Sequence, residues 1–192
     1  MSKAKYLQDV EMLFDKSPVV RVSSIERIVK NRNYTKQLIR NLVKKGKIRR
    51  ITKGCYTKYD EPSLAVFCFK PAYLGLEDAL SFHNLWEQET IPVVVTAAKA
   101  RQGIRKMFGV NVLIRRIDKK YLFGFEQYLY GQEFYLPYSD IEKTLIDLVY
   151  FKRKLSEETI KEIKRKLNRK KINSYLRKYP LKIRKRVLKY VG

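Results

Sequence analysis

Two glycines, Gly46 and Gly54, constrain the fold of this chain more than any other feature. Gly46 follows an apolar-periodic stretch that Asn33 would cap, and a glycine just past the last periodic residue is the usual left-handed end of a helix. The stretch therefore predicts a helix from Asn33 to about Lys45. Its predicted inward positions are Leu38, Leu42 and Val43.

Gly54 predicts a tight turn. The runs on either side of it, Ile48–Thr52 and Cys55–Tyr59, are β-prone, and glycine permits the positive φ that a hairpin turn needs. A phosphate-binding loop of the form GxxxxGK[ST] is excluded, because Gly46-Lys47 is followed by neither serine nor threonine. We therefore predict a basic β-hairpin directly after the helix.

Two further helices are predicted upstream. Residues Ala4–Phe14 carry apolar side chains at helical spacing. Ser23 and Glu26 form a capping-box pattern, which opens a short second helix that ends near Lys30. Residues 31–33 then make a tight turn. Because helix, helix, turn, helix and hairpin is the order of a winged helix-turn-helix, residues 1–60 are predicted to form a DNA-binding domain.

The predicted third helix and hairpin carry the amides and cations that DNA recognition requires. Such a helix fits the major groove with its N-terminal half against base edges, and a basic hairpin beside it reaches phosphates. We predict base contacts from Asn33, Gln37 and Arg40, phosphate contacts from Lys44, Lys45, Lys47, Arg49, Arg50 and Lys53, and further contacts on the same surface from Tyr34, Thr35, Lys36 and Asn41. The alternative is that these charges only solvate a small helical domain.

The net charge of +24 favours a polyanionic partner, and its distribution divides the chain into three segments. Residues 1–60 hold 16 Lys and Arg against 5 Asp and Glu, residues 61–155 hold 13 against 11, and residues 156–192 hold 14 against 3. This pattern indicates two separate cationic surfaces on a conventional core. No apolar stretch approaches the roughly 20 residues of a membrane helix, so we expect a cytoplasmic protein without a membrane partner.

Residues 61–155 predict an α+β domain with one small sheet. The sequence "PAYLGLEDALSFHNLWEQ" has helical spacing, whereas "IPVVVTAA", "VNVLIRRI" and "YLFGFEQYLYGQEFYLPY" are β-prone. Ser139 and Glu142 form a second capping-box pattern at the start of the helical sequence "DIEKTLIDLVYF". The predicted fold class is therefore α+β, with an N-terminal winged helix-turn-helix, a mixed α/β domain and a basic helical tail.

The tail, residues 156–192, is predicted to form three amphipathic helices, the first running from Ser156 to about Asn168. Its apolar stripe is expected to dock on the middle domain while its cations face outward. That outward surface either contacts nucleic acid or a nucleotide substrate, or is a solvated helical cap.

No catalytic, metal or cofactor site is predicted. His83 is the only histidine, and a lone imidazole on a Leu- and Phe-rich helix is most often a hydrogen-bonded core residue. Glu142 and Asp147 stand five positions apart and so do not share a helical face. Cys55 and Cys68 lack zinc-site spacing, and we expect two small buried side chains rather than a disulfide.

Four blocks in order carry a resemblance to a known family. "LVKKGKIRRITKGCY", "KPAYLGLEDALSFHNLWEQ", "IPVVVTAA" and "YSDIEKTLIDLVY" resemble the AbiEi family of antitoxin and transcriptional-repressor proteins over roughly residues 20–155. Three departures from the family pattern are Gly75 for a serine, Asn84 for a glycine and Thr144 for an alanine. The departures lie outside the predicted DNA-binding residues.

The resemblance implies a repressor that binds inverted repeats in double-stranded DNA upstream of its own operon. It also implies a C-terminal domain that counteracts a nucleotidyltransferase-like toxin without a stable complex, as in type IV toxin-antitoxin systems of abortive infection. The chain would be a monomer in solution or a dimer on DNA. Alternatives are a stand-alone regulator, an RNA-binding accessory protein without antitoxin activity, and a nucleic-acid enzyme.

Overall fold

The computed structural model describes residues 3–192, with side chains from residue 6 onward, and the fold is mixed α+β. The N-terminal elements are α1 (Lys3–Lys16), β1 (Val20–Arg21), α2 (Val22–Val29), α3 (Arg32–Lys44), β2 (Arg49–Thr52) and β3 (Cys55–Thr57). The predicted order of three helices and a hairpin is confirmed. The short strand β1 was not predicted, since two residues give no periodic signal.

A small antiparallel sheet joins the hairpin to the helices. Its strand order is β1-β3-β2, and the backbone N–H of Val22 donates to the carbonyl of Gly54 at 3.0 Å, so the hairpin turn is tied to the start of α2. Beneath it, apolar side chains of the three helices and the residue before β2 form one cluster, which includes Val10, Ile25, Leu42 and Ile48. Helices and hairpin therefore form one packed unit.

Both predicted N-terminal caps in this region are wrong. Pairing of β1 keeps the chain extended up to Arg21, so α2 begins at once and Ser23 lies inside the helix rather than capping it. For α3 the cap is Asn31, whose Oδ1 accepts from the Tyr34 backbone N–H at 2.9 Å. Asn31 and Asn33 are equally good caps by residue type, and the left-handed Lys30 (φ 54°) selects the earlier one.

The predicted glycine stop of α3 is confirmed. Gly46 has φ 68°, and its N–H donates to the Val43 carbonyl while the Lys47 N–H donates to the Leu42 carbonyl, both at 3.0 Å. This pair of bonds is a Schellman motif, which satisfies carbonyls at the helix end. The chain therefore leaves α3 sharply and enters β2 within a few residues.

The middle of the chain builds a six-stranded mixed sheet, larger than the small sheet predicted. Its strands are β4 (Ala72–Leu74), β5 (Val93–Thr96), β6 (Gly103–Met107), β7 (Val110–Arg116), β8 (Phe125–Tyr130) and β9 (Phe134–Ser139), in the order β6-β7-β5-β4-β9-β8. β4 pairs parallel with β9 and β5 parallel with β7, and the remaining neighbours are antiparallel. Strands β4 and β6 were not predicted.

One face of the sheet is covered by helices. These are α4 (Glu77–Phe82), α5 (Ile141–Tyr150), α6 (Glu157–Lys166), α7 (Arg169–Leu176) and α8 (Leu181–Val191). The helix expected from residue 71 onward was wrong in its first part, because Tyr73 lies in β4 and packs beneath α5. Only the short α4 remains of that prediction.

The predicted docking of the tail is confirmed. Ile163, Ile172 and Val187 from α6, α7 and α8 are buried in one cluster with Tyr73 and Leu145. The predicted start of the first tail helix at Ser156 is also found, since Ser156 caps α6 and its Oγ accepts from the Thr159 backbone N–H at 3.1 Å. The three tail helices therefore belong to the layer that covers the sheet.

The second capping box is wrong. α5 is capped by Asp140, whose Oδ1 accepts from the Lys143 backbone N–H at 2.7 Å, and Ser139 is the last residue of β9. Glu142 instead accepts from the backbone N–H of Asn168 at 2.7 Å and so caps nothing in its own helix. The Ser139–Glu142 pattern therefore does not form a capping box, because Glu142 is used in a contact with the tail.

The hairpin packs against the opposite face of the sheet. Ile51 and Cys55 share a buried cluster with Leu64, which lies in a 3-10 helix (Pro62–Phe69), and with Val94 and Leu136 of the sheet. Cys55 is buried as expected, whereas Cys68 is only partly buried, and both are free thiols. Because of these contacts, the N-terminal unit is held against the body of the protein with α3 outward.

Candidate nucleic-acid interface

The outward face of α3 is a regular stripe of polar side chains. Thr35, Leu38, Ile39 and Leu42 are its buried residues. At 3.6 residues per turn, the direction opposite this face is taken by Asn33, Gln37, Arg40 and Lys44, all exposed. We call these four residues the α3 stripe. It contains two amides and two cations, and the helix of 13 residues is about 20 Å long.

Two face assignments made from the sequence are wrong. Thr35, predicted to contact DNA, is fully buried, and its Oγ1 donates to the Asn31 carbonyl at 2.8 Å. Val43, predicted to face inward, is 41% exposed. The buried face of α3 includes Leu38 and Leu42. Position 35 lies within this buried face, whereas position 43 lies on its flank.

The flanks of the stripe hold the other predicted helix residues. Lys36, Asn41 and Lys45 are exposed, while Tyr34 is half-buried with its ring 6.2 Å from that of Tyr6 in α1. Tyr34 therefore supports the helix packing, and only its edge is available for contact.

The hairpin that follows α3 along the chain adds further exposed cations. Arg50 and Lys53 are exposed and form no ion pair with any described side chain. Lys47 pairs with Glu11 at 2.6 Å and Arg49 with Asp60 at 2.5 Å. Both pairs are exposed to solvent and so are worth at most about 1 kcal/mol, which a phosphate can displace.

Sequence reasoning missed two cations at the start of α3. Arg32 is the first residue of the helix, and Lys30, which has a left-handed backbone, lies two positions before it. Both side chains are exposed. Arg32 was assigned to a turn because Asn33 was taken as the cap, and Lys30 was assigned to the end of the second helix. Weighing Asn31 as an equal cap would have placed Arg32 on the helix, next to the N-terminal half of the stripe.

The surface combines the two kinds of group that read double-stranded DNA. Amide and guanidinium side chains can form bidentate hydrogen bonds to base edges in a major groove about 12 Å wide. Lysines and arginines of the hairpin can neutralise phosphates without reading sequence. The outward face of α3 therefore offers groups that suit base edges, and the hairpin offers cations that suit phosphates.

The remaining candidate residues are held in structural contacts. His83 Nε2 lies 2.7 Å from the Ser139 carbonyl, and its ring packs against those of Phe82 and Tyr128. Asp147 is fully buried with Lys143 and Tyr73. Among the described residues, no group of three or more His, Cys, Asp and Glu side chains is arranged to hold a metal ion.

No helix within residues 3–192 is long and apolar enough to cross a bilayer. No protein-family model and no curated protein sequence matches the chain.

Proposed function

We propose that this protein is a DNA-binding transcriptional repressor whose N-terminal unit is a winged helix-turn-helix. α3 is the recognition helix and the β2–β3 hairpin is the wing. The observation that carries the proposal is the α3 stripe, in which Asn33, Gln37 and Arg40 face outward. The hairpin that follows adds the exposed cations Arg50 and Lys53, which pair with no described side chain. A solvated helical face would not need amides aligned with cations next to a basic hairpin.

The proposed division of labour makes a direct test possible. In gel shifts with the full chain, Gln37→Ala and Arg40→Ala should weaken binding to the protein's own upstream DNA by about 1 to 3 kcal/mol more than binding to random DNA. Lys53→Ala and Arg49→Ala should weaken both DNAs similarly, because phosphate contacts carry no sequence information. Equal losses on both DNAs for the helix variants would contradict base reading by the stripe.

Salt dependence separates the two classes of contact further. Each neutralised phosphate contributes about 0.9 to the slope of log K against log salt concentration, so Lys53→Ala should lower the slope by about that amount. Gln37→Ala should leave it unchanged. The matched control is Lys99→Ala, which removes the same charge from an exposed position after β5 and should alter neither slope nor affinity.

Two further controls follow from the corrected faces of α3. Thr35→Val keeps the shape of a buried side chain and should leave DNA affinity intact, although Thr35 was first counted among the DNA contacts. Val43→Ser changes an exposed flank position and should also bind normally. A large loss for Thr35→Val without loss of folding would overturn the face assignment.

We further propose that the protein acts as the antitoxin of a toxin-antitoxin operon and opposes a nucleotidyltransferase-like toxin. The four ordered sequence blocks support this part. Two of them coincide with β5 and with α5, whose apolar side chains share the buried cluster between the sheet and its helices. Inverted-repeat binding would place two copies on DNA. The test is a neighbouring reading frame for such a toxin, with growth rescue on co-expression.

An RNA-binding accessory role is the second candidate. The observation that favours it is a set of exposed tail cations, which includes Lys161, Lys182, Lys185 and Lys189. Neutralising these four residues should abolish RNA binding and spare operator binding if the tail is an RNA surface. Loss of operator binding instead would assign the tail to the DNA complex.

A further inference from the structure

A cavity of about 440 Å³ lies on the helical face of the six-stranded sheet, at its β6 edge. Its floor is one row across three strands, in which Leu113 of β7 is in register with Val93 of β5 on one side and Ile104 of β6 on the other. Trp86 and the residues that follow it form one wall, and Glu77 with Arg153 forms another. This volume is within the range of small-molecule sites.

Two residues that line this cavity carry unsatisfied hydrogen-bond donors. Trp86 Nε1 and Arg115 Nε are buried and have no hydrogen-bond partner, and no other buried side-chain nitrogen or oxygen in the described part of the chain lacks one. A buried donor without an acceptor costs about 1 to 3 kcal/mol. Both residues line the cavity, so a group that enters it and shifts these two side chains slightly can supply the missing acceptor.

The charges around the cavity favour an anion near Arg115. Arg153 is paired with Glu77, whereas the Arg115 guanidinium has no carboxylate within ion-pair distance among the described residues. Glu89, the other acid of the lining, is exposed to solvent. A carboxylate next to Arg115 would therefore both pair the cation and accept the two free N–H groups.

The mouth of the cavity is apolar. Two aliphatic side chains of the lining are exposed, since Ile104 on the edge strand β6 is 63% exposed and Ile91 is 36% exposed. Exposed aliphatic side chains at the rim of a cavity with a few convergent donors are typical of a site for a small, partly apolar ligand.

We propose that this cavity binds a small carboxylic acid with an apolar body. The carboxylate accepts from Trp86 Nε1 and Arg115 Nε, and the apolar body lies on the row formed by Val93, Leu113 and Ile104. The site is separate from α3, so the inference does not depend on DNA binding.

The experiment uses the fact that Trp86 is the only tryptophan of the chain, so its indole N–H gives a single NMR signal. Octanoate and phenylacetate are titrated separately into ¹⁵N-labelled full-length protein, to distinguish an aliphatic from an aromatic body. We expect the indole proton signal to move downfield with at least one of them. Octan-1-ol, which has the apolar body without the carboxylate, should bind at least about tenfold more weakly.

Variants test the two halves of the site. Arg115→Met should weaken acid binding about tenfold without lowering the melting temperature, because it removes a buried unpaired donor. The matched control Arg116→Met removes the same charge from the exposed neighbour and should bind normally. If Arg115→Met does not fold, Ile104→Glu on the exposed edge strand decides the question, since it places a like charge at the mouth and should weaken binding similarly.

Three results would overturn the proposal. One is an indole signal that neither acid moves at millimolar concentration. Another is equal binding of octan-1-ol and octanoate. The third is unchanged affinity in Arg115→Met, or in Ile104→Glu where the first variant does not fold.

Discussion

Replacing Lys143 by methionine should be among the most damaging single changes in this protein. Lys143 and Asp147 are one helical turn apart on α5, both fully buried, and the ammonium pairs with one carboxylate oxygen of Asp147. Tyr73 Oη donates to the other oxygen at 2.5 Å, and Lys143 Nζ donates to Tyr179 Oη at 3.1 Å. The network therefore connects β4 and α5 with Tyr179, which lies in the loop between α7 and α8.

The expected loss follows from what Lys143→Met leaves behind. Asp147 keeps only the hydrogen bond from Tyr73, and a buried charge without its partner costs about 3 to 5 kcal/mol. The double variant Lys143→Met/Asp147→Asn removes both charges and still offers Tyr73 an acceptor. It leaves the Tyr179 hydroxyl and the amide N–H groups of the new side chain unpaired, each at a cost of about 1 to 3 kcal/mol. The single variant leaves the same hydroxyl unpaired and adds the larger cost of an unpaired buried charge. The second substitution should therefore restore stability.

Urea denaturation of the wild type and the single and double variants measures this coupling. A pH series adds a second readout. Burial raises the pKa of Asp147, and without Lys143 the folded state binds a proton that the unfolded state has lost. The stability of Lys143→Met should therefore be greatest below about pH 4 and fall as pH rises toward the raised pKa. A double variant less stable than Lys143→Met, or a pH-independent deficit, would refute the reasoning.

Three further changes have defined outcomes. Burial raises the pKa of Asp78 to about 7, so wild-type stability should fall between pH 4 and pH 7 relative to Asp78→Asn, by at most about 4 kcal/mol in thermal or urea unfolding. Gly46→Ala should cost about 1 to 2 kcal/mol, because φ there is 68° and no atom lies near an added Cβ, so only backbone strain acts. Val43→Lys should leave the unfolding free energy within about 0.5 kcal/mol, because the position is exposed; a loss of 2 kcal/mol by urea denaturation would contradict that.

The local signals were reliable where neighbouring residues alone decide the backbone. Gly46 ends α3 and Gly54 lies in the turn between β2 and β3, as predicted, because both conformations need a positive φ that glycine adopts without strain. The apolar spacing of the three tail helices likewise predicted their burial. The two glycine conformations depend on contacts within a few residues, whereas the apolar spacing shows which face of each tail helix is buried but not what covers it.

Helix starts were the least reliable prediction, because adjacent residues compete as caps. The cap of α3 is Asn31 and not Asn33, and the cap of α5 is Asp140 and not Ser139. In both cases strand pairing and packing set where the helix could begin. The strand β4 was misread as helix because its burial on both faces depends on pairing with β5 and β9, far along the chain. Such pairing leaves no period-two signal in three residues.

By itself the sequence determined the element order of the N-terminal unit, the glycine stops and the excess of cations at both ends. The tertiary structure decided which helix residues face outward, moving Thr35 into the core and Val43 out of it. It also brought Trp86 and Arg115, 29 positions apart, to one cavity. Local backbone preferences act over a few residues and can be read from sequence, whereas burial and unpaired donors depend on which distant segments meet.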